Sequence, residues 1–171
     1  MSRYSAVEPL SPDRDVESFD CGSPAQTDWL RRHGLQAQQS GTSRVYVVCL
    51  AGTRRVVGYH ALAAGSVEPE WAPGRVQRGT GQHPIPIILL TRLGVDLKEQ
   101  GRGLGTALVK DALQRVASAG QQIGVRALLI HAESAQARAF YLHLAEFEPS
   151  PTDALHLFLP MKDLTATIGT D

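Results

Sequence analysis

The chain has 171 residues, 43% of them apolar and 20% charged, and its 17 basic side chains balance 17 acidic ones. That length buries a core without disulfides or metal and is too short for two full enzyme domains, so a single domain over 1–171 is expected. No apolar run approaches the ~20 residues of a membrane span, and the start, Met1-Ser2-Arg3-Tyr4-Ser5-Ala6-Val7-Glu8-Pro9, lacks the apolar stretch of a secretory signal, which leaves a soluble protein with the cytoplasm as default compartment.

Asp20-Cys21-Gly22-Ser23-Pro24 reads as a helix start, Ser23 capping and Pro24 in the first turn, and predicts a helix from about Pro24 to Gln39 that Gly41 ends. Arg44–Leu50 and Val56–Leu62 are rich in β-branched and aromatic residues and flank the turn Gly52-Thr53-Arg54-Arg55, which predicts a β-hairpin. Residues 66–86 carry Pro69, Pro73, Pro84 and Pro86 with Gly74, Gly79 and Gly81 and no apolar period, so a surface excursion without elements is expected. Ile87–Val95 is a nearly continuous apolar strand, closed by Asp96-Leu97-Lys98-Glu99. Leu104, Leu108, Ala112 and Val116 lie at four-residue spacing and give a helix from about Leu104 to Ala119. A strand over Val125–His131, a helix over Ala135–Leu144, a strand over Leu155–Leu159 and a polar tail complete the order α, β, β, β, α, β, α, β, an α/β (α+β) chain without internal repeats.

The most informative segment is Gln100-Gly101-Arg102-Gly103-Leu104-Gly105, between a buried strand and an amphipathic helix. Three glycines in five residues allow close backbone approach, and the helix start adds unpaired N–H donors, an arrangement suited to a phosphate. No Lys-Ser or Lys-Thr follows, so it is not a Walker loop, and Asp111 and Glu133 miss the acidic position of a dinucleotide-binding unit. His33, His60, His83, His131, His143 and His156 fall at no ligand spacing, and Cys21 and Cys49 lie far apart, so no metal is expected. His60 and His131, on strands, either line a cleft or are satisfied interior histidines. Residues 31–110 hold eleven basic side chains against four acidic ones. Charge alone leaves open a solvated arginine-rich surface or contacts to an RNA or other phosphate-bearing partner.

In context, Gln-x-x-Gly-x-Gly after a Leu-x-Val strand resembles the acetyl-CoA pyrophosphate loop of the GNAT superfamily of N-acetyltransferases, and the element order agrees with that fold. The resemblance runs from about Phe19 to Leu164 and is closest to GNAT-type toxins encoded beside a ribbon-helix-helix antitoxin. It is carried jointly by Phe19-Asp20-Cys21-Gly22, Asp28-Trp29-Leu30, Ser43-Arg44-Val45-Tyr46-Val47-Val48, Val57-Gly58-Tyr59-His60-Ala61-Leu62, Leu90-Thr91-Arg92-Leu93-Gly94-Val95 and Ala139-Phe140-Tyr141. Many members have a Gly-Phe step after the last of these helices, where this chain reads Leu144-Ala145-Glu146-Phe147.

The resemblance implies a central mixed, mostly antiparallel sheet, splayed at the acetyl-CoA site and flanked by helices. It also implies pairing of the pantetheine arm with the backbone of Leu93, Gly94 and Val95, and pyrophosphate binding around Gln100, Gly101, Arg102, Gly103, Leu104, Gly105 and Thr106. Tyr141 matches the general acid for the leaving thiolate; from the residues alone, Phe140-Tyr141 reads equally as core, Gly94 as a packing glycine and Arg102 as a solvated surface residue. The implied activity is transfer of acetyl from acetyl-CoA to the α-amine of aminoacyl-tRNA, which would stop translation, with a backbone N–H near Val95 meeting the developing oxyanion. Arg31, Arg32, Arg44, Arg75, Arg78 and Arg92 are then candidates for tRNA phosphates. The antitoxin and, through it, operator DNA are implied partners, a homodimer is compatible, and no membrane is involved. Two alternatives stay open: a GNAT enzyme for a small-molecule or protein amine, and a co-repressor acting mainly with its antitoxin on DNA.

Overall fold

Ser23 opens the first helix, its hydroxyl accepting the Gln26 N–H at 3.3 Å with Pro24 in first position. α1 (Pro24–Trp29) runs through a π-helical turn, Leu30–Gly34, into α2 (Leu35–Ser40), and Gly41, at φ +81°, ends the run by returning its N–H to the Ala37 carbonyl. The wide turn is invisible to a 3.6-residue period. The hairpin forms as β2 (Arg44–Cys49) and β3 (Val56–Val67) in antiparallel register, β3 continuing past Leu62 to Val67, and a short β1 (Glu8–Pro9) pairs with the outer side of β2.

A computed structural model describes residues 2–168. The remaining elements are α3 (Gly74–Gln77), β4 (Ile85–Val95), α4 (Leu104–Gly120), β5 (Ala127–His131), α5 (Ala135–Leu144), β6 (Glu148–Pro149), β7 (His156–Pro160) and α6 (Met161–Ile168). The strands form one mixed sheet in the order β1-β2-β3-β4-β5-β7-β6, with β4 and β5 parallel and β1–β2, β2–β3, β5–β7 and β6–β7 antiparallel. The chain divides into two compact units, Met1–Ala63 with Thr91–Ala112 and Ala64–Leu90 with Leu113–Asp171.

In the first unit both faces of the hairpin are buried. Phe19, Leu30, Val45, Val47 and Tyr59 form one cluster, while Val48, Val57, Leu104 and Leu108 form another, against which Leu93 and Val95 pack. Tyr59 joins α1 to the sheet: it meets Phe19 edge-on at 5.6 Å, stacks on Trp29 at 6.1 Å and donates its hydroxyl to the Gln26 carbonyl at 2.7 Å. A Cβ on Gly58 would lie 2.9 Å from Val48 Cγ1 and 3.0 Å from Leu108 Cδ1, so glycine lets α4 approach the strand closely.

The second unit departs from the sequence expectation at two places. Residues 66–86 are not a bare surface excursion: they contain a 3₁₀ turn, Pro69–Trp71, and α3, with Val76 fully buried beside Ile85, Ala127, Leu129 and Phe158. The Arg126 guanidinium donates to the carbonyls of Val76, Arg75 and Arg78 at 3.0, 3.2 and 2.9 Å, and Arg75 forms a two-pronged pair with Asp163 at 2.6 Å; these partners lie too far along the chain for local pattern to reveal. The expected polar tail is instead α6, whose Met161, Leu164 and Ile168 share one helical face, with Leu164 fully buried. Leu164→Ala should lower the unfolding free energy by ~2–5 kcal/mol in a urea titration, the cost of emptying a leucine site. A loss under ~1 kcal/mol would mean that α6 does not pack as described.

Candidate active site

The approach to the glycine loop is fixed by two carboxylates that the fold takes out of water. Asp96 and Glu99 are 2% and 4% exposed. Asp96 accepts the N–H of Asp20 at 3.2 Å through one oxygen and that of Lys98 at 3.0 Å through the other, while its own N–H bonds the Val57 carbonyl at 2.8 Å. Glu99 receives the Arg3 guanidinium at 2.8 and 3.1 Å and the Tyr4 hydroxyl at 2.8 Å. These donors hold its carboxyl down at about 2, the Arg3 hydrogen bond contributing most. Gln100 completes the turn by donating to the carbonyls of Cys21 at 3.1 Å and Val95 at 2.9 Å. Arg3, Tyr4 and Glu99 carry no local motif, and the sequence reading missed them as a group.

Beyond this turn, Gly101 and Gly103 adopt φ +81° and +84°, and a Cβ on either would meet no protein atom within 4 Å. The loop therefore presents bare backbone to open space immediately before α4, whose first amides at Leu104, Gly105 and Thr106 have no acceptor in their own helix. Arg102 is half-exposed, its Nε 3.9 Å from Glu99. Gly94 is in tight packing, because a Cβ there would lie 3.1 Å from Cys21 Sγ and 3.2 Å from a Tyr59 ring carbon, so these neighbours would have to give way by a few tenths of an ångström. The parallel register of β4 with β5 runs from Ile87↔Ala127 to Leu90↔Ile130, and Leu93, Gly94 and Val95 lie past its last pair.

Tyr141 sits on α5, 7% exposed, with its ring edge-on to Phe140 and Phe147 at 5.3 and 6.3 Å. Burial, reinforced by Glu133, pushes its hydroxyl well above the usual tyrosine range, so it keeps its proton at neutral pH. His60 is an interior histidine, fully buried with Nε2 2.8 Å from Asp111. His131 instead lines a cavity of about 350 Å³ in the second unit with His156, whose part in it no local pattern marks. Among the described residues no cluster of His, Cys, Asp or Glu is placed to hold a metal, and no helix is long and apolar enough to cross a membrane.

The six arginines split. Arg31, Arg32 and Arg44 are exposed in the first unit, while Arg92 lies half-buried over the Trp29 ring at 5.5 Å. In the second unit Arg78 is exposed and borders a cavity of about 320 Å³ with Arg126 and Lys162. Arg75 is also exposed, but it is paired with Asp163 and Glu148, so its guanidinium braces α3 and α6.

The pattern of the "Acetyltransferase (GNAT) family" matches residues 10–147. The chain is 53% identical over 169 residues to the "tRNA-acetylating toxin" of Mycobacterium tuberculosis, covering 99% of both chains. AtaT complexed with acetyl-methionyl-tRNAfMet matches with a TM-score of 0.86 at 30% identity, over 95% of this chain and 98% of that one. A tyrosine-to-phenylalanine variant of AtaT, bound to acetyl-CoA and the C-terminus of the antitoxin AtaR, matches at 0.80 and 29%, over 96% and 98%. The DNA-bound AtaT–AtaR complex matches at 0.77 and 29%, over 95% and 98%.

The Glu99 carboxylate gives an acid-sensitive anchor. Its carboxyl is held below the ordinary 4.5, so the stabilisation is complete above about pH 4.5 and is lost as pH falls toward 2. Glu99→Gln should therefore destabilise the protein most at neutral pH, and its gap from wild type in denaturant midpoint should close between pH 4.5 and 2. A gap independent of pH would show that the carboxylate charge contributes nothing there.

Proposed function

Because the chain belongs to the GNAT acetyltransferase family, we propose that it transfers the acetyl group of acetyl-CoA to the α-amino group of aminoacyl-tRNA, as the toxin of a toxin–antitoxin pair acting in the cytoplasm. The observation that carries this reading is the 53% identity to a tRNA-acetylating toxin over 99% of both chains. The structures of AtaT with acetyl-methionyl-tRNAfMet, with antitoxin and acetyl-CoA, and with antitoxin and DNA support the same kinds of partner here: tRNA, an antitoxin and, with it, DNA.

The residues fit the co-substrate. Acetyl-CoA supplies the acetyl group as an activated thioester. The uncovered backbone at Gly101 and Gly103 and the first amides of α4, including Thr106, suit a pyrophosphate, and Arg102 is exposed enough to reach a further phosphate. The backbone of Leu93, Gly94 and Val95, beyond the β5 register, is available to pair with the pantetheine arm, and an N–H near Val95 to meet the oxyanion. The acceptor amine attacks the thioester carbonyl and releases its proton to water, the carbon–sulfur bond breaks, and Tyr141 supplies a proton or a hydrogen bond to the departing sulfur. Arg31, Arg32, Arg44 and Arg78, all exposed, are candidates for tRNA phosphates.

Incubation with labelled acetyl-CoA and total charged tRNA tests the reaction: label should appear on the α-amine of an aminoacyl species, and label confined to a small amine or a protein would replace this acceptor. Gly103→Glu should weaken acetyl-CoA binding at least tenfold by calorimetry. Gly52→Glu, equally strained at φ +74° with equally open space, should lose similar stability with no change in affinity. Equal affinities would remove the loop from the site. Tyr141→Phe keeps the ring among Phe140 and Phe147 and should lower turnover by ~10²- to 10⁴-fold at unchanged acetyl-CoA affinity. Undiminished turnover would make Tyr141 a core aromatic only.

A further inference from the structure

The cavity lined by His131 and His156 lies in the second unit and is not used by the reaction above. Its floor is apolar, formed by Ile87, Leu89, Leu129 and Phe158. On one wall the imidazoles of His131 and His156, directly paired across β5 and β7, stack at 3.9 Å between centroids with their planes 16° apart. Trp71, 49% exposed, adds an indole, and its backbone is held by the Ser150 hydroxyl donating to its carbonyl at 2.6 Å. Asp153, 3.3 Å from His156 Nε2, supplies a carboxylate at the polar side. No lysine or arginine lines the cavity, so a phosphate or carboxylate ligand is disfavoured; flat aromatic faces over an apolar floor suit a neutral, planar ligand with a hydroxylated appendage.

We propose that this cavity receives the unpaired terminal adenosine of the acceptor, its base against the His131–His156 stack with Trp71 as a second aromatic face, and its ribose toward Asp153. The assignment rests on the aminoacyl-tRNA reading, which makes a single-stranded 3′ end with an unstacked base the part that must enter the protein. Single-stranded RNA bases are recognised by stacking on aromatic and histidine rings. The volume of about 350 Å³ lies within the range of small-ligand sites. Burial and the neighbouring His156 both lower the affinity of His131 for a proton, so a neutral ring is presented to the base.

Calorimetry on the full chain without acetyl-CoA tests this with two stable amides, 3′-glycylamino-3′-deoxyadenosine and the same glycylamino sugar lacking the base. The adenosine compound should bind ~5- to 100-fold more tightly, the range of one base–aromatic stack. Trp71→Ala and His131→Leu should erase most of that preference, while Trp71→Phe and His131→Phe should restore it. The KM for charged tRNA should rise in parallel with little change in kcat or acetyl-CoA affinity. Equal binding of the two amides to the wild-type protein would overturn the proposal, and so would an unchanged KM in folded Ala and Leu variants. Failure of the wild type to acetylate any charged tRNA would instead remove the reading on which the proposal rests.

Discussion

Two carboxylates that cannot be left bare inside the protein, Asp96 and Glu99, organise the first unit around the glycine loop. Burying either without partners would cost several kcal/mol, and the fold meets that demand with donors from far along the chain: Arg3 and Tyr4 on Glu99, the Asp20 N–H on Asp96. Because the turn also binds Asp20 through the Leu97 N–H and Cys21 through Gln100, the Phe19–Gly22 segment and the N-terminus are fastened to the residues preceding Gly101. On the proposed function, a loop that offers bare backbone to an anion loses less affinity to ordering when its flanks are already held, and the charged network fastens the turn that precedes it.

Legibility in the sequence followed the range of the interactions. The helix start at Ser23-Pro24, the stop at Gly41, the hairpin and the long face of α4 depend on neighbours within a few residues, and these appear nearly as read. The glycine loop was legible for the same reason. Residues 66–86 were misread because α3 exists through Arg126 and through Asp163 on Arg75, pairings with no local periodicity. α6 was a different failure: its apolar spacing is present, but a short C-terminal stretch with charges and threonines was read as a tail. The paired histidines were seen singly, and only the register of β5 against β7 turns them into a wall.

Arginine use explains why charge counting alone pointed in two directions. The basic excess of residues 31–110 looks like one surface in sequence, yet its members do different work. Arg75 is bound by two carboxylates and Arg92 rests on an indole, while Arg31, Arg32, Arg44 and Arg78 remain exposed. Arg126, outside that stretch, spends its guanidinium on three carbonyls of the α3 turn. A guanidinium with several planar donors is suited to such bracing, and a lysine could not span the same set. Ion pairs and ring packing thus take up part of the basic excess that composition shows.

Proton holding separates the ionisable groups by role. Burial makes Tyr141 reluctant to ionise, which excludes it as a base for the acceptor amine at neutral pH and leaves it as a donor. His60 is buried against Asp111, and neither needs to act on an α-amine whose own pKa of about 8 leaves a reactive fraction at cellular pH. The same burial limits the donor: a thiolate with a pKa of about 8.5 is less basic than the Tyr141 phenolate, so complete proton transfer to sulfur runs uphill. On the proposed reaction the hydroxyl therefore contributes chiefly as a hydrogen bond that strengthens while charge builds on the departing sulfur. A donor of that kind gains most where water is excluded, which gives burial of the ring among Phe140 and Phe147 a chemical consequence as well as a packing one.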